Sequence, residues 1–250
     1  MVTEYLLPSS ADEAAAELAE GAALMAGGTT VMPRVLAGGF EAERVVGLAR
    51  AGLDGVRRGD GRTVIGATTT LAAVAALDHA PALAAAAAQV GGPALRNMAT
   101  IGGNLLAGAP YGDVGVALLA LGADVDLGDR AVAIDDFWTE FRPGVDIVRS
   151  VALNDDVAAD SVYVRWARRA ANSPAVVCVA VAGGRVAIGG VGDHPVRSAG
   201  AEAHLRDPGA AGEAAAAEVD PPTDGIASSW YRKRMTEVFV RRALEESHAV

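Results

Sequence analysis

Short apolar segments alternate with glycine-rich breaks along the first part of the chain. A capping box of Ser10 and Glu13 predicts a helix over residues 11–20. The apolar run at 22–26 is typical of a buried strand, and a diglycine pair separates it from a second predicted helix at 31–36. The pattern therefore predicts helix, strand, glycine loop and helix in succession.

Strands and helices remain mixed through the middle of the chain. Residues 44–48 and 63–67 have the composition of strands, and Thr70 is placed to cap a helix over 71–77. The alanine-rich segment 81–90 predicts another helix. The segment 94–110 has unusual punctuation and includes a glycine loop at 100–104. The pattern further predicts a helix at 114–121, strands at 123–127 and 131–134, and a loop around 142–144.

The last third of the chain has a more regular pattern. Alternating residues predict strands at 162–167, 175–182 and 185–190, the last two joined as a hairpin, and a closing helix at 228–246. The polar, acidic stretch 154–161 is the predicted boundary between a domain at 1–155 and a domain at 156–250. The predicted fold class is α+β.

Composition and charge exclude several classes of function. The 250 residues are 51% hydrophobic and 21% charged, which is a globular profile, and the formal charge of −10 disfavours nucleic acid and anionic membrane surfaces. The longest apolar runs are much shorter than the 18 or so residues that a spanning helix needs, and no signal peptide is visible. The single cysteine, Cys178, excludes an internal disulfide and an all-cysteine iron–sulfur site within one chain. We expect a cytoplasmic protein.

Common catalytic and nucleotide motifs are missing from the sequence. It contains no Walker A loop, no Gly-x-Ser-x-Gly elbow and no His-Glu-x-x-His motif, and its four histidines lack ligand spacing, so no metal site is expected. The segment 190–195 approaches a dinucleotide fingerprint, but Pro195 replaces the third glycine. We interpret that segment as a hairpin turn.

Two segments, 26–30 and 100–104, pair glycines with hydroxyl or amide side chains. Glycine lets the backbone approach a ligand closely, and successive N–H groups can form a nest for an anion. The first segment also opens a predicted helix, which favours a phosphate. If the two loops converge, they suit a pyrophosphate. Each pair taken alone is better explained as an ordinary turn, because the chain has 30 glycines and several such pairs.

The ordered combination of three segments is more specific. Residues 24–30, 64–70 and 95–105 resemble the FAD-binding (medium) subunit of the molybdenum hydroxylase family, of the carbon monoxide dehydrogenase and xanthine dehydrogenase type. The most specific element is Arg96-Asn97-x-Ala-Thr-Ile-Gly-Gly-Asn. The resemblance extends over essentially the whole chain and implies a two-lobed FAD-binding domain followed by a small C-terminal α/β domain.

The resemblance also implies the cofactor site. It assigns FAD contacts to Leu24, Met25, Ala26, Gly27, Gly28, Thr29, Thr30, Val31, Thr100, Ile101, Gly102, Gly103, Asn104, Asp113, Val148 and Arg165. Asp113 is alternatively an N-cap for the helix at 114–121, and Arg165, where lysine is more usual, is alternatively a surface strand residue. Trp166 is the best candidate for a tryptophan beside the flavin because it neighbours Arg165, although core packing is an alternative for each tryptophan. Cys178 is expected to be an inert core thiol.

The implied function is electron transfer. The resemblance implies partner iron–sulfur and molybdopterin subunits and an external acceptor such as NAD, a quinone or oxygen, with no side chain required as a general acid or base. The chain departs from the family in a shorter connection over 142–160, where Val145 stands in place of glutamate. Two alternatives stay open: a free-standing FAD-dependent oxidoreductase that acts directly on a small molecule, and a binding module that has lost flavin.

Overall fold

A small parallel sheet forms the N-terminal part of the computed structural model, which describes residues 2–18, 21–169 and 172–247. Its strands are β1 (Glu4–Leu6), β2 (Ala22–Met25) and β3 (Arg44–Gly47), in the order β1-β3-β2. Helix α1 (Ala11–Ala16) connects β1 to β2, and α2 (Val31–Leu36) connects β2 to β3. The predicted strand, glycine segment and helix are confirmed. Helix α1 ends before residue 20, and residues 19 and 20 lie outside the described part of the chain.

An antiparallel sheet of five strands follows. Its strands are β4 (Val56–Gly59), β5 (Arg62–Gly66), β6 (Asp124–Asp126), β7 (Ala131–Ala133) and β8 (Ser150–Asn154), in the order β4-β5-β8-β6-β7. Between β5 and β6 lie α3 (Leu71–Val74), α4 (Pro81–Ala88), α5 (Pro93–Arg96), α6 (Ile101–Leu105) and α7 (Asp113–Leu121), and α8 (Ile134–Glu140) precedes β8. All nine residues of α7 are buried, so this helix is the centre of the core.

Two of these elements differ from the predictions. Strand β4 was not predicted, although Asp60 and Gly61, both with positive φ, form the two-residue turn that pairs β4 with β5. The glycine segment 100–104 is not the predicted loop, because most of it lies in α6, and α5 precedes it. Apolar periodicity cannot identify helices of four and five residues, since each spans little more than one turn.

The C-terminal part pairs a second antiparallel sheet with three helices. After the short α9 (Asp155–Ala159) come β9 (Val162–Ala167), β10 (Ala175–Ala182), β11 (Arg185–Gly189) and β12 (Val196–Arg197), in the order β12-β11-β10-β9. Helices α10 (Ala199–Glu202), α11 (Pro208–Glu218) and α12 (Ser229–Ser247) complete the fold. The predicted hairpin of β10 and β11, the turn at 193–195 and the closing helix are confirmed.

Strand β10 lies between the core around α7 and a second core that the C-terminal sheet forms with α11 and α12. All eight of its residues are buried. Cys178, Ala180 and Ala182 face the core around α7, whereas Val177, Val179 and Val181 face α11 and α12. Arg185 of β11 adds polar ties, since its guanidinium donates to the Leu119 carbonyl and forms an ion pair with Asp135. The C-terminal sheet is therefore held against the N-terminal elements.

The α+β fold class is confirmed, while the boundary at 155/156 stays a prediction. Among the described residues, no helix is long and apolar enough to cross a membrane, and no group of three or more metal-ligating side chains occurs.

Candidate functional site

The first glycine segment forms an open row of backbone donors between β2 and α2. The N–H groups of residues 27–31 donate to no acceptor within the part of the chain that the structure describes. Gly28 has a φ of +71°, a left-handed conformation that glycine adopts without strain. Five consecutive free N–H groups at a turn match the predicted anion nest.

The second glycine segment differs from the prediction, because it is helical. Thr100 caps α6 by accepting a hydrogen bond from the Gly103 N–H at 3.2 Å. The N–H groups of Ile101 and Gly102 donate to the carbonyls of Thr69 and Ala67. These donors are already used within the protein, so the predicted nest is wrong for this segment.

The two glycine segments do converge. A Cβ atom at Gly27 would overlap the carbonyl oxygen of Met98, which lies two residues before Thr100. The turn after β5 joins them, since Thr70 pairs with Thr100 in a β-bridge and a Cβ at Gly102 would lie 2.9 Å from that of Ala67. The three segments that carry the family resemblance therefore form one packed unit.

Asn104 connects this unit to α7. Its Oδ1 accepts a hydrogen bond from the Val114 N–H at 3.1 Å, and Asn104 is buried. This bond satisfies one of the free donors at the start of α7. Gly112, not Asp113, holds the N-cap position, so the alternative role of Asp113 as an N-cap is wrong.

Asp113 and Arg165 lie together in a buried network. The Arg165 Nε donates to Asp113 Oδ1 at 2.8 Å, and both side chains are only 7% exposed. The Tyr163 hydroxyl donates to the same oxygen at 2.8 Å, and Arg165 also donates to the Ser173 carbonyl. Arg165 is therefore not the surface strand residue that was one of its two predicted roles.

Two further titratable groups complete this network. Burial, together with the nearby Cys178 thiol and Asp113 carboxylate, raises the pKa of Tyr163 well above its usual value. Burial raises the pKa of Cys178 to about 12, and the Asp113 charge adds to this shift. Both groups are therefore neutral at physiological pH, and the expectation that Cys178 is a buried thiol is confirmed.

The remaining predicted contacts lie in several elements. Leu24 and Met25 end β2, residues 26–30 form the turn, and Val31 begins α2. Val148 is buried in the core around α7, just before β8. The structure thus groups residues 24–31 beside α5 and α6, and Asp113 with Arg165 at the start of α7.

Trp166 does not share the surroundings of its sequence neighbour Arg165. Side chains alternate along a strand, so Trp166 and Arg165 project from opposite faces of β9. Trp166 packs against Phe239 and donates to the Tyr231 hydroxyl at 3.0 Å. Trp230 is 75% exposed, so core packing is wrong for it.

Sequence reasoning missed Tyr163 and the role of Arg96. Tyr163 is two residues before Arg165, a spacing that places both on one face of a strand, so alternation could have identified it. Arg96 donates to the carbonyls of Val90 and Gly91, at 3.2 and 2.9 Å, and so stabilises the turn before α5.

Two family models match nearly the whole chain. Residues 1–153 match the FAD binding domain in molybdopterin dehydrogenase, and residues 162–247 match the CO dehydrogenase flavoprotein C-terminal domain. The chain belongs to this family. The resemblance predicted from the sequence is thereby confirmed, and FAD is the cofactor of the family's FAD-binding domain.

Relatives and solved structures agree with this membership. The chain is 28% identical to the carbon monoxide dehydrogenase medium chain of Afipia carboxidovorans, over 98% of this chain and 96% of the relative. It is 29% identical to the glyceraldehyde dehydrogenase medium chain of Sulfolobus acidocaldarius, over 63% of this chain and 64% of that protein's length. It superposes on a chain of carbon monoxide dehydrogenase from Hydrogenophaga pseudoflava with a TM-score of 0.91 and 27% identity, covering 100% of this chain and 98% of the other.

The residues present fit FAD. A dinucleotide pyrophosphate needs N–H donors and a backbone free of side chains at the closest approach. Residues 27–31 supply the free N–H groups, and the two residues that begin this row, Gly27 and Gly28, carry no side chain. The assignment of individual residues to the cofactor stays a prediction.

Proposed function

We propose that this chain is the FAD-binding subunit of a multi-subunit molybdenum hydroxylase and passes electrons from partner iron–sulfur clusters to an external acceptor. The observation that carries the proposal is the row of free N–H groups at 27–31, packed beside Met98 in a chain of this family. The N–H groups would hold the pyrophosphate of FAD. Bound FAD would supply the exchange of single electrons for electron pairs.

In this proposal, the residues of this chain bind FAD and orient it. The row at 27–31 provides dipolar donors, so the pyrophosphate needs no lysine or arginine from the turn. Asp113 and Arg165 neutralise each other in a buried pair, which leaves no net charge at the start of α7. Val148 provides apolar surface in the same core.

The proposal requires partner subunits. A single cysteine cannot ligate an iron–sulfur cluster, so clusters of that kind must come from another chain. Relatives with names such as "medium chain" and "complex subunit alpha" support an assembly with an iron–sulfur and a molybdopterin subunit. NAD, a quinone or oxygen would be the acceptor.

The first test is cofactor binding by the full chain. The wild-type protein should be yellow and release about one FAD per chain on heating, identified by mass. We expect Gly27→Ala to weaken FAD binding at least tenfold, because the new Cβ must displace the Met98 backbone beside the donor row. Gly39→Ala is the matched control, since a Cβ there meets no atom within 4 Å. A folded wild-type protein that takes up no FAD would contradict the proposal.

The second test addresses the partners. Affinity-tagged chain expressed in its native host should co-purify with an iron–sulfur protein and a molybdopterin protein, identified by mass spectrometry. The purified assembly should reduce one of the three acceptors with an organic substrate. Turnover by the FAD-loaded chain alone would instead favour the free-standing oxidoreductase.

A further inference from the structure

We propose that Tyr163 is a positioning residue for the cofactor site, which orients the Asp113 carboxylate so that one oxygen remains available to FAD. This inference rests on the proposed function. Neither the family resemblance nor the comparisons assign a role to Tyr163.

The two oxygens of Asp113 have different environments. Oδ1 accepts from the Tyr163 hydroxyl and from Arg165 Nε, both at 2.8 Å. Oδ2 accepts no hydrogen bond from the residues that the structure describes. Asp113 also lines a crevice with Gly112 and Gly190. Oδ2 is therefore the oxygen that a donor on a ligand can reach.

Two donors on one oxygen define the orientation of a carboxylate. One bond from Arg165 Nε restricts the last side-chain torsion of Asp113 only to a range of angles, because this torsion has a broad energy profile. The second bond comes from a different side chain on the same strand and removes that freedom. Arg165 is itself oriented by its bond to the Ser173 carbonyl.

The hydroxyl is suited to this role because it is a permanent donor. Burial keeps the pKa of Tyr163 well above its usual value, so its proton is present across the pH range of biochemical assays. Its ring packs in the core around α7, which restricts its own rotamer. Tyr163 belongs to β9 and Asp113 to α7, so the contact also couples the C-terminal sheet to the cofactor site.

The test is a double-mutant cycle on FAD affinity. Titration of the apoprotein with FAD, followed by quenching of flavin fluorescence, measures the dissociation constant. We expect Tyr163→Phe to weaken binding about tenfold and to change the visible spectrum of the bound flavin. Because the hydroxyl acts through the carboxylate, Asp113→Ala, which removes the acceptor, and the Asp113→Ala/Tyr163→Phe double variant should have dissociation constants within about twofold of each other.

The matched control is Tyr231→Phe, which removes a hydroxyl that accepts from Trp166 on the opposite face of β9. We expect its FAD affinity to stay within about twofold of wild type. If Tyr163 has only a structural role, Tyr163→Phe will weaken FAD binding by the same factor with and without the Asp113 carboxylate. That result overturns the inference. Should Tyr163→Phe fail to fold, Tyr163→Met takes its place in the same cycle, because it also removes the hydroxyl.

The outcomes separate this inference from the proposed function. Wild-type FAD binding with an unaffected Tyr163→Phe variant overturns only the role of Tyr163. A folded wild-type chain with no affinity for FAD overturns the proposed function and this inference with it.

Discussion

The turn that leads into β8 depends on one buried carboxylate. Asp146 has a side chain that is only 3% exposed, and it accepts hydrogen bonds from Arg130 at 2.7 Å and from both the backbone and the guanidinium of Arg142 at 2.7 Å. This turn lies two residues before Val148. We expect Asp146→Asn to destabilise the protein by loosening this turn.

The expected size of the destabilisation by Asp146→Asn follows from the groups that this substitution leaves unpaired. Asparagine keeps one acceptor oxygen but removes the charge, and its NH2 group faces two arginines. Removing one partner of a buried ion pair costs about 3–5 kcal/mol, but Arg142 is half exposed and water can solvate it, so we expect about 2–3 kcal/mol. For a chain of this size that corresponds to a fall in Tm of roughly 5–10 °C.

The stabilising contribution of Asp146 changes with pH in a defined direction. The hydrogen bonds from Arg130 and Arg142 outweigh the effect of burial and hold the pKa of Asp146 well below its ordinary value. A carboxyl with a depressed pKa stabilises the folded state above its unfolded pKa of about 3.9, and this contribution is lost as the pH falls towards the folded pKa. The difference between wild type and Asp146→Asn should therefore be full at pH 7 and shrink below about pH 4.

Urea denaturation at several pH values measures this difference. Asp129→Asn is the matched control, because Asp129 contacts the same two arginines with a side chain that is 66% exposed. We expect the control to change the free energy of unfolding by less than about 0.5 kcal/mol. Equal effects of the two variants, or a difference from wild type that does not vary with pH, would refute the reasoning.

Two further predictions concern the start of α7. Asn104→Ala removes the acceptor for the Val114 N–H, so we expect it to lower the free energy of unfolding by about 1–2 kcal/mol. Urea denaturation measures this loss. The control is Asn104→Asp, which keeps an acceptor oxygen and should leave the free energy of unfolding unchanged. Because its pKa is about 12 and it is buried, the Cys178 thiol should react with a disulfide reagent at pH 8 at least a hundredfold more slowly in the native protein than in urea. Rapid native labelling would show that the network around Asp113 is open to solvent.

Much of the fold follows from local sequence signals, and the exceptions have physical causes. The helix caps at Ser10 and Thr70 and the glycine turn between β10 and β11 are encoded within a few residues, and the structure contains them. Helix α6 is too short for apolar periodicity, and its glycines have intrinsically low helix propensity. Besides its local cap at Thr100, this helix is supported by bonds from its first two N–H groups to the carbonyls of Thr69 and Ala67, more than 30 positions earlier.

The candidate site also depends on contacts between residues that are far apart in the sequence. The chemistry of the two glycine segments suited a pyrophosphate only on the condition that they converge, and the pairing of Asp113 with Arg165 joins residues 52 positions apart. Residue spacing could not distinguish an N-cap from a buried ion pair at Asp113, because both roles use the same carboxylate. Trp166 shows the opposite error, since adjacency in a strand separates two side chains instead of joining them.

The most specific motif of the chain is explained better by packing than by donation of N–H groups. Thr100 caps α6, Gly102 lies against Ala67, and Asn104 caps the start of α7. Each residue thereby places a neighbouring element: the first two place the surface beside Gly27, and the third places Asp113. The motif links the donor row at 27–31 to the Asp113 network, so a change at Asn104 should disturb Asp113 without altering the donor row.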